Sequence, residues 1–576
     1  MLISKRVDSA RLFADLRVVI IDEIHALAGQ DRGTHLLSVI ERLSSHSGRD
    51  VQRVGLSATV GNPDTILGWL RGSSARPAVV VDPPRAPTRR EILIVLRESV
   101  EAMARDAALM AEGHKSLFFC QSRSLTEAVA ESMRRAGTEV FVHHSAVSQV
   151  ERAEAEERFH QGGNACIVCT STLELGIDVG DLDRVLQADA PDTVSSFMQR
   201  MGRTGRRAGQ AANTTFLCQT PESVLVACAL VELAKAGWVE SVRPSTRAWP
   251  VLLHQLLAMS LAEGGVSRHA FWTHALRVHD FSSISSREFT ELVEWLLLDG
   301  GLIETGGRLV WGPKAERRLG RKNFQVIYAV FSSPQTYTVS DAAGRVLGTL
   351  QQDFVDRLVE QVSAFLLAGR AWSVDRILHA ERAVRVFPAP RGREPTWGGY
   401  TPQFLGFEVC QRVRGVLAGS DAAPYLHATA AAALNVKRRA FEDVFAGGDI
   451  EEDHDELRWW TFAGGRINNT LKHALLAVAG EWKVVTDNYV LKVRGASGRH
   501  ALAEARQRLR DPSLWESAEL WRDVAASLPG YRLTKFQDFL PEGIMREMLG
   551  NYLLDIDGAR RVAADPSASR VVGEGQ

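Results

Sequence analysis

Leu16-Arg17-Val18-Val19-Ile20-Ile21-Asp22-Glu23-Ile24-His25 decides how the chain is to be read. Its first six residues are largely apolar and β-branched, the pattern of a strand buried in a parallel sheet, and the acidic pair stands where such a strand ends. A second apolar run, Val51 to Leu56, ends at Ser57-Ala58-Thr59, and a helix is expected between the two over about His35 to Leu43. Strand and helix alternating on this scale predict a doubly wound α/β domain whose site lies beyond the carboxyl ends of the strands.

Working outward, Pro83, Pro84 and Pro87 break this pattern and mark a first boundary. A new strand and helix series begins near Leu93, with strands at Lys115 to Cys120, Glu139 to Val142, Ala165 to Thr170 and Arg184 to Ala188, and closes near Ser241. From Trp249 to Gly312 two helical stretches lead to Ser285-Ser286-Arg287-Glu288, an N-cap for a third helix, and then to a hairpin turning at Gly306-Gly307. That is a winged-helix order. Short alternating strands such as Thr336 to Val339 and Ala371 to Val374 mark a β-rich module, the chain beyond Gly399 reads as mixed and mostly helical, and the tail after Arg561 reads as disordered. The expected domains are 1–86, 87–243, 244–318, 319–561 and a tail at 562–576, with the first α/β domain incomplete.

The 576 residues call for three to five modules at ~100 to 200 residues each. With 45% hydrophobic and 24% charged residues the composition is that of a globular chain, and 68 Lys+Arg against 69 Asp+Glu give no overall polycationic character. A nucleic-acid site, if present, is local. No uncharged apolar run reaches the ~18 residues a membrane span needs and the start lacks the apolar core of a signal peptide, so a cytoplasmic protein without membrane contact is expected. Six cysteines in so long a chain fit a reducing compartment, and Cys166-Ile167-Val168-Cys169, with no second pair at zinc-site distance, reads as a buried strand.

Five motifs come in order, each at the expected element: Asp22-Glu23-Ile24-His25, Ser57-Ala58-Thr59, Ser116 to Arg123, Thr170 to Asp178, and Gln199-Arg200-Met201-Gly202-Arg203-Thr204-Gly205-Arg206-Arg207. An acidic tetrapeptide alone is a weak signal, whereas an ordered series of five is not. Here the chain resembles a superfamily 2 helicase of the DExH type, built on two RecA-like domains. Such an NTPase needs a metal bridging phosphate oxygens, a carboxylate to orient water and cations to hold transition-state charge.

The resemblance implies ATP and Mg²⁺ as cofactors, Asp22 as the metal-binding carboxylate and Glu23 as the water-polarising base. It places His25 as a link to Gln199 or to the coupling element Ser57 and Thr59; outside this setting His25 would read as an ordinary loop histidine. Arg203 and Arg206 resemble arginine fingers, contacts worth ~10³ to 10⁵ in rate, the alternative being a basic surface loop. Gly176 and Asp178 stand in the segment that contacts the nucleotide ribose, although Asp178 could instead cap a turn. Arg123, His144, Thr170 and Thr172, at strand ends of the second domain, suit contacts to a phosphate backbone, which position a strand without reading bases.

Within superfamily 2 the phrase Ile21 to Gly29, then Arg32-Gly33-Thr34-His35-Leu36, with Gln199 to Arg203, looks like the Lhr (large helicase-related) family. The likeness continues through Phe324 to Phe331, Phe365 to Trp372 and Pro395-Thr396-Trp397-Gly398-Gly399. It implies two motor domains, a winged helix and a β-rich fourth domain around a single strand. It further implies 3′-to-5′ translocation driven by ATP, unwinding of DNA duplexes or RNA:DNA hybrids, and a link with DNA repair. Trp397 aligns with an aromatic that stacks on a base, worth ~1 to 3 kcal/mol, and reads equally as a packed boundary tryptophan. The run Arg317 to Lys322 suits either phosphate or a solvated linker, and Trp459 to Arg466 is expected to be core and turn.

No Gly-x-x-x-x-Gly-Lys-Thr/Ser occurs in the sequence, and only 21 residues precede Asp22. The phosphate-cradling loop is therefore missing, and a first domain without its central strands should leave a sheet edge unpaired. The expectation is an N-terminally truncated helicase with poor ATP hydrolysis. Two other readings stand beside it: a non-catalytic nucleic-acid clamp, and one half of a split motor completed by a polypeptide that supplies the loop.

Overall fold

The computed structural model describes residues 9–83, 89–161, 165–174, 180–206, 209–320, 336–379, 381–393, 395, 404–421 and 423–564. The chain divides into two compact units. The first takes residues 1–84, 239–333 and 521–552, and the second takes the rest.

In the first unit β1 (Val18–Ile21) and β2 (Gln52–Gly55) pair in parallel, Val18 opposite Gln52 and Ile21 opposite Gly55. The helix between them, Asp31–Ser47, is longer at both ends than the apolar spacing suggests and closes on Gly48 at φ 63°, a left-handed cap that glycine takes without steric cost. Three more helices, Trp249–Glu263, Arg268–Ala275 and Ser286–Leu298, precede a hairpin of Leu302–Thr305 and Arg308–Trp311. Ser285 and Glu288 form a reciprocal capping box at the third helix. Gly306 and Gly307, at φ 58° and 72°, supply the two left-handed residues of the hairpin turn.

One core joins these segments: Ile21, Ile24, Leu37 and Trp69 share it with Leu252, Leu256 and Phe281, and with Phe536, Phe539 and Leu540. Residues 521–552 thus belong with the winged-helix order, a return of the chain that corrects the single 319–561 module expected above. Two buried carboxylates tie the unit together. Asp280 accepts from Thr34 Oγ1 (2.6 Å) and Trp69 Nε1 (2.7 Å). Glu41 meets Arg53 at 2.8 Å and Arg277 at 3.1 Å and accepts from Ser73 Oγ at 2.6 Å.

The second unit holds six parallel strands: β3 (Arg90–Leu96), β4 (Ser116–Phe119), β5 (Val140–His143), β6 (Cys166–Cys169), β7 (Arg184–Ala188) and β8 (Ala212–Cys218). They lie in the order β3-β8-β7-β4-β6-β5, so β4 and its neighbours are central and β5 is an edge. Every residue of β4 and β6 is buried, which is why these strands read as unbroken apolar runs. Cys166 and Cys169 lie inside β6, and burial pushes the Cys166 thiol up to about 12.

A five-stranded sheet follows, with Val346–Gln351, Thr336–Asp341, Ala383–Pro388, Arg370–Leu378 and Ala364–Leu367 side by side. Its turn at Ala368 (φ 53°) and Gly369 (φ 68°) is clamped by the buried Glu127, whose carboxylate accepts from both amides at 2.8 and 2.5 Å.

Beyond residue 404 the chain is mixed and mostly helical, as its sequence suggests, and it also holds one small sheet. Ile450–Asp453, Glu456–Trp460, Val490–Arg494 and Lys483–Thr486 make an antiparallel four-stranded sheet. These strands are four or five residues long and carry charges, so alternation has little room to show. Trp459 and Phe462 are buried, and Gly464, at φ 86° with Leu405 O 2.6 Å from where a Cβ would sit, opens the helix Gly465–Ala479. The final helix, Ile556–Ala564, runs three residues into the stretch read as a disordered tail, because Val562 and Ala563 face the core; residues 565–576 lie outside the described ones.

Candidate functional site

In the first unit the acidic motif leaves β1 at its carboxyl end, and two backbone hydrogen bonds lock it to the end of β2: Leu56 N to Ile21 O (2.8 Å) and Ile24 N to Leu56 O (2.9 Å). Asp22 is exposed, and its Oδ1 accepts from the amide of Glu23 at 2.9 Å. Glu23 sits at φ 50°, ψ 42°, a left-handed conformation that costs a non-glycine residue of order 1 kcal/mol or more and clusters at functional sites.

His25 turns inward, its side chain 5% exposed, and Nδ1 lies 3.1 Å from Ser57 Oγ and 3.7 Å from Glu23 Oε2. The amide of Ala58 donates to the same Nδ1 at 3.4 Å, so Nδ1 is the acceptor and the proton belongs on Nε2. Burial lowers the His25 pKa, against the opposing pull of Glu23 and Asp22, and favours that neutral ring. Asp22, Glu23, His25 and Ser57 are thus brought together; Thr59 lies exposed just beyond.

In the second unit the candidates gather at the carboxyl ends of three adjacent strands, β4, β6 and β5. Arg123 opens the helix Arg123–Arg135 after β4, and burial lowers its pKa. Thr170 and Thr172 follow β6, and Thr172 Oγ1 donates to His143 O (3.0 Å) at the end of β5 while lying 2.9 Å from the His143 ring.

His144 is a correction. It is fully buried, its Nε2 lies 2.8 Å from Glu127 Oε1, and its Nδ1 accepts from Ala146 N at 3.3 Å. A side chain so enclosed holds the strand end to the β-rich module and does not face a phosphate backbone.

The helix Val194–Met201 carries Gln199, whose amide donates to Ser195 Oγ at 3.1 Å. The next residue is the one sequence reasoning missed. Arg200 is buried over the Phe119 ring, pairs with Glu174 at 2.5 Å and donates to Gln187 Oε1 at 3.3 Å. It thereby fastens the Gln199 to Arg206 motif to the turn that holds Thr170 and Thr172. A Glu and an Arg 26 residues apart, each inside a motif, were the only available signal. Arg203 is 8% exposed and donates to the carbonyl of Glu174, whereas Arg206 is exposed and, among the described residues, donates to Gly202 O at 3.4 Å. Of the two finger candidates, Arg206 is the one extended to solvent. Gly176, Asp178 and Trp397 lie outside the described residues.

Strand-end carboxylates beside a Ser-Ala-Thr turn, and a second parallel sheet whose ends carry Thr, His and Arg motifs, define a superfamily 2 helicase fold. Two family models match: DEAD/DEAH box helicase over residues 1–66 and helicase conserved C-terminal domain over residues 98–208. ATP-dependent helicase Lhr-Core protein 2 of Thermococcus barophilus is 28% identical over 419 residues, covering 68% of this chain and 48% of the relative. Lhr helicase/probable uracil glycosylase of Mycolicibacterium smegmatis is 27% identical over 558 residues, 83% of this chain and 35% of the relative. A solved structure of Mycobacterium smegmatis helicase Lhr bound to ssDNA and AMP-PNP matches with a TM-score of 0.68 at 21% identity, over 97% of this chain and 78% of that one. DUF1998 helicase MrfA bound to DNA matches at 0.51 and 17% identity, over 94% and 76%. The chain is thus similar to the Lhr helicases of superfamily 2. It spans about half or less of the length of these curated relatives.

Proposed function

We propose that this chain is the part of an ATP-driven, 3′-to-5′ nucleic-acid translocase that couples hydrolysis to strand movement, acting in the cytoplasm on single-stranded DNA next to a DNA duplex or RNA:DNA hybrid. The observation that carries the reading is the His25 to Ser57 hydrogen bond of 3.1 Å, which joins the acidic motif to the Ser57-Ala58-Thr59 turn. A link of that kind lets a change at the nucleotide be felt at the strand that feeds the nucleic-acid side. Relatives described as bound to ssDNA and AMP-PNP or to DNA support it.

ATP and Mg²⁺ suit the donor set. Mg²⁺ keeps waters and is held by one or two carboxylates plus substrate phosphates, and no group of three or more His, Cys, Asp or Glu converges among the described residues. Asp22 would hold the ion, which would neutralise phosphate charge. Glu23 would orient the attacking water, and Arg206, with Arg203 once released from Glu174, would meet the developing charge. Gly176 and Asp178 are proposed at the ribose, Arg123, Thr170 and Thr172 on the phosphate backbone and Trp397 against a base. No helix among the described residues is long and apolar enough to cross a membrane.

The sequence contains no Gly-x-x-x-x-Gly-Lys-Thr/Ser loop, so the polypeptide of these 576 residues is expected to turn ATP over poorly unless another segment or chain supplies it. That same observation favours the second reading, a clamp that binds without hydrolysis. Strand displacement on duplexes with a 3′ or a 5′ tail, with a phosphate-loop segment supplied, decides: ATP-dependent release from the 3′-tailed duplex supports the motor, and ATP-independent binding alone supports the clamp.

A further inference from the structure

The edge strand β5 and the five-stranded sheet of the second unit enclose a cavity of about 330 Å³. Its wall contains four arginines: Arg134 and Arg158 from helices of the parallel-sheet domain, and Arg345 and Arg370 from the β-rich module. Their circumstances differ. Arg345 is neutralised by Glu151 at 2.6 Å and Glu154 at 2.5 Å, which uses up two of the acidic groups in the same wall. A third, Asp341, turns its Oδ1 to the amides of Ala343 and Arg345 at 3.0 and 2.9 Å. Glu139, the last, is exposed.

Arg134, Arg158 and Arg370 make no ion pair with a carboxylate among the described residues, although Glu131 and Glu127 offset part of the charge of Arg134. Arg134 donates through Nη2 to Val140 O at 2.9 Å, while its Nη1 is buried and makes no hydrogen bond. Burial, and after it the like charge of the neighbouring Arg370, lower the Arg134 pKa against the weaker opposing pull of Glu131 and Glu127. Holding guanidinium groups together without paired carboxylates is unfavourable, and an anion with several oxygens relieves it by accepting charge-assisted hydrogen bonds in the planar fork geometry arginine offers.

We propose that this cavity is a phosphate-binding subsite, separate from the strand-end motifs, in which Arg134, Arg158 and Arg370 clasp one phosphate group between the parallel-sheet domain and the β-rich module. Its source is a backbone phosphate of the bound nucleic acid, which rests on the nucleic-acid reading above, or free phosphate, which does not. A backbone phosphate held here would fix the β-rich module against the motor domain as nucleic acid loads.

The test uses the full chain and the double substitution Arg158→Ala with Arg370→Ala, both exposed positions, leaving Arg134 to hold Val140. Arg287→Ala, exposed in the other unit, is the control. Anisotropy of a labelled, single-strand-tailed DNA duplex is followed across salt concentrations, and thermal stability is followed with millimolar inorganic phosphate. Removing the cations that neutralise one backbone phosphate should lower the slope of log K against log salt by about 0.9 and weaken low-salt binding roughly three- to tenfold. That outcome assigns the site to nucleic acid. An unchanged slope with a phosphate-dependent stabilisation that only the double variant loses assigns it to free phosphate. Equal slopes and equal phosphate response in wild type and double variant overturn the proposal. If wild type binds no nucleic acid, the broader reading fails and the phosphate arm still judges the site.

Discussion

The two parallel sheets hold comparable motifs by different means. In the second unit, strands β4 and β6 are buried throughout between helices, and the motif side chains hang from a layered core. In the first unit β1 and β2 form a two-stranded sheet among the described residues, with Val18 42% and Ile20 66% exposed, large figures for apolar strand residues. The loop of Asp22 and Glu23 is therefore held less by its sheet than by a few polar bonds and by packing from sequence far away. Geometry that depends on so few bonds breaks with few substitutions.

Glu41→Ala puts that contrast to its hardest test. Removing one member of a buried pair leaves its partner charge uncompensated, and about 3 to 5 kcal/mol should be lost. The side chains of Glu41 and Arg53 are 1% and 3% exposed. Denaturation followed by probes in each unit should show the first unit unfolding earlier and the second unmoved; a joint shift would mean that the units unfold as one. Arg200→Ala makes the reciprocal change in the second unit. About 3 kcal/mol should go there, together with the docking of the Gln199 to Arg206 motif, since Glu174 and Gln187 both lose a partner.

Acid should also act on the first unit. Burial above all pushes His35 and His274 down to about 4, with Arg42 adding to both. The unfolded chain, with ordinary histidines near 6.5, then binds protons that the folded chain refuses. The contribution of the two neutral rings is complete above pH 6.5 and is lost as the pH falls toward 4. A loss on the order of 2 kcal/mol per ring, about 4 kcal/mol for the two, follows by pH 5, read as a falling midpoint of the first transition.

Smaller effects sharpen the comparison. His25→Ala should leave both transitions nearly in place and, in the chain supplied with a phosphate-loop segment, weaken the stimulation of ATP hydrolysis by nucleic acid by about 5- to 30-fold, the range of a coupling energy of ~1 to 2 kcal/mol. Full stimulation in that variant would remove the coupling role given to the Ser57 bond. Ser285→Ala, which opens the capping box, should cost about 1 kcal/mol in chemical denaturation and leave activity alone.

The fold was legible wherever the signal was local. Short apolar strands ending in Asp-Glu or Ser-Ala-Thr, the cap at Ser285 and the turn at Gly306-Gly307 are written within a few residues, and the parallel strands whose two ends were expected fall within about two residues of them, whereas Ala371 to Val374 belongs to the longer strand Arg370–Leu378. What failed was non-local. Nothing near Thr34 or Trp69 announces Asp280, more than 200 residues on, as their common acceptor. The return of residues 521–552 to the first core rests on Phe536 and Phe539, which look like any apolar pair in a helical stretch. His144 read as a strand-end donor because its partner, Glu127, lies on a helix face that also serves the turn at Ala368 and Gly369. Buried charge pairs between distant elements carry no periodicity, so sequence alone shows the charges and not the pairing.

Steady-state ATP hydrolysis with Mg²⁺ and single-stranded DNA tests the central claim most directly. It is measured for the 576-residue polypeptide and for the same polypeptide preceded by a Gly-Lys-Thr/Ser-bearing segment of an Lhr relative, each with and without Glu23→Gln. The expected result is DNA-stimulated turnover in the extended chain only, abolished by Glu23→Gln. Robust stimulated turnover by the shorter chain, or turnover in the extended chain that survives Glu23→Gln, would contradict the account.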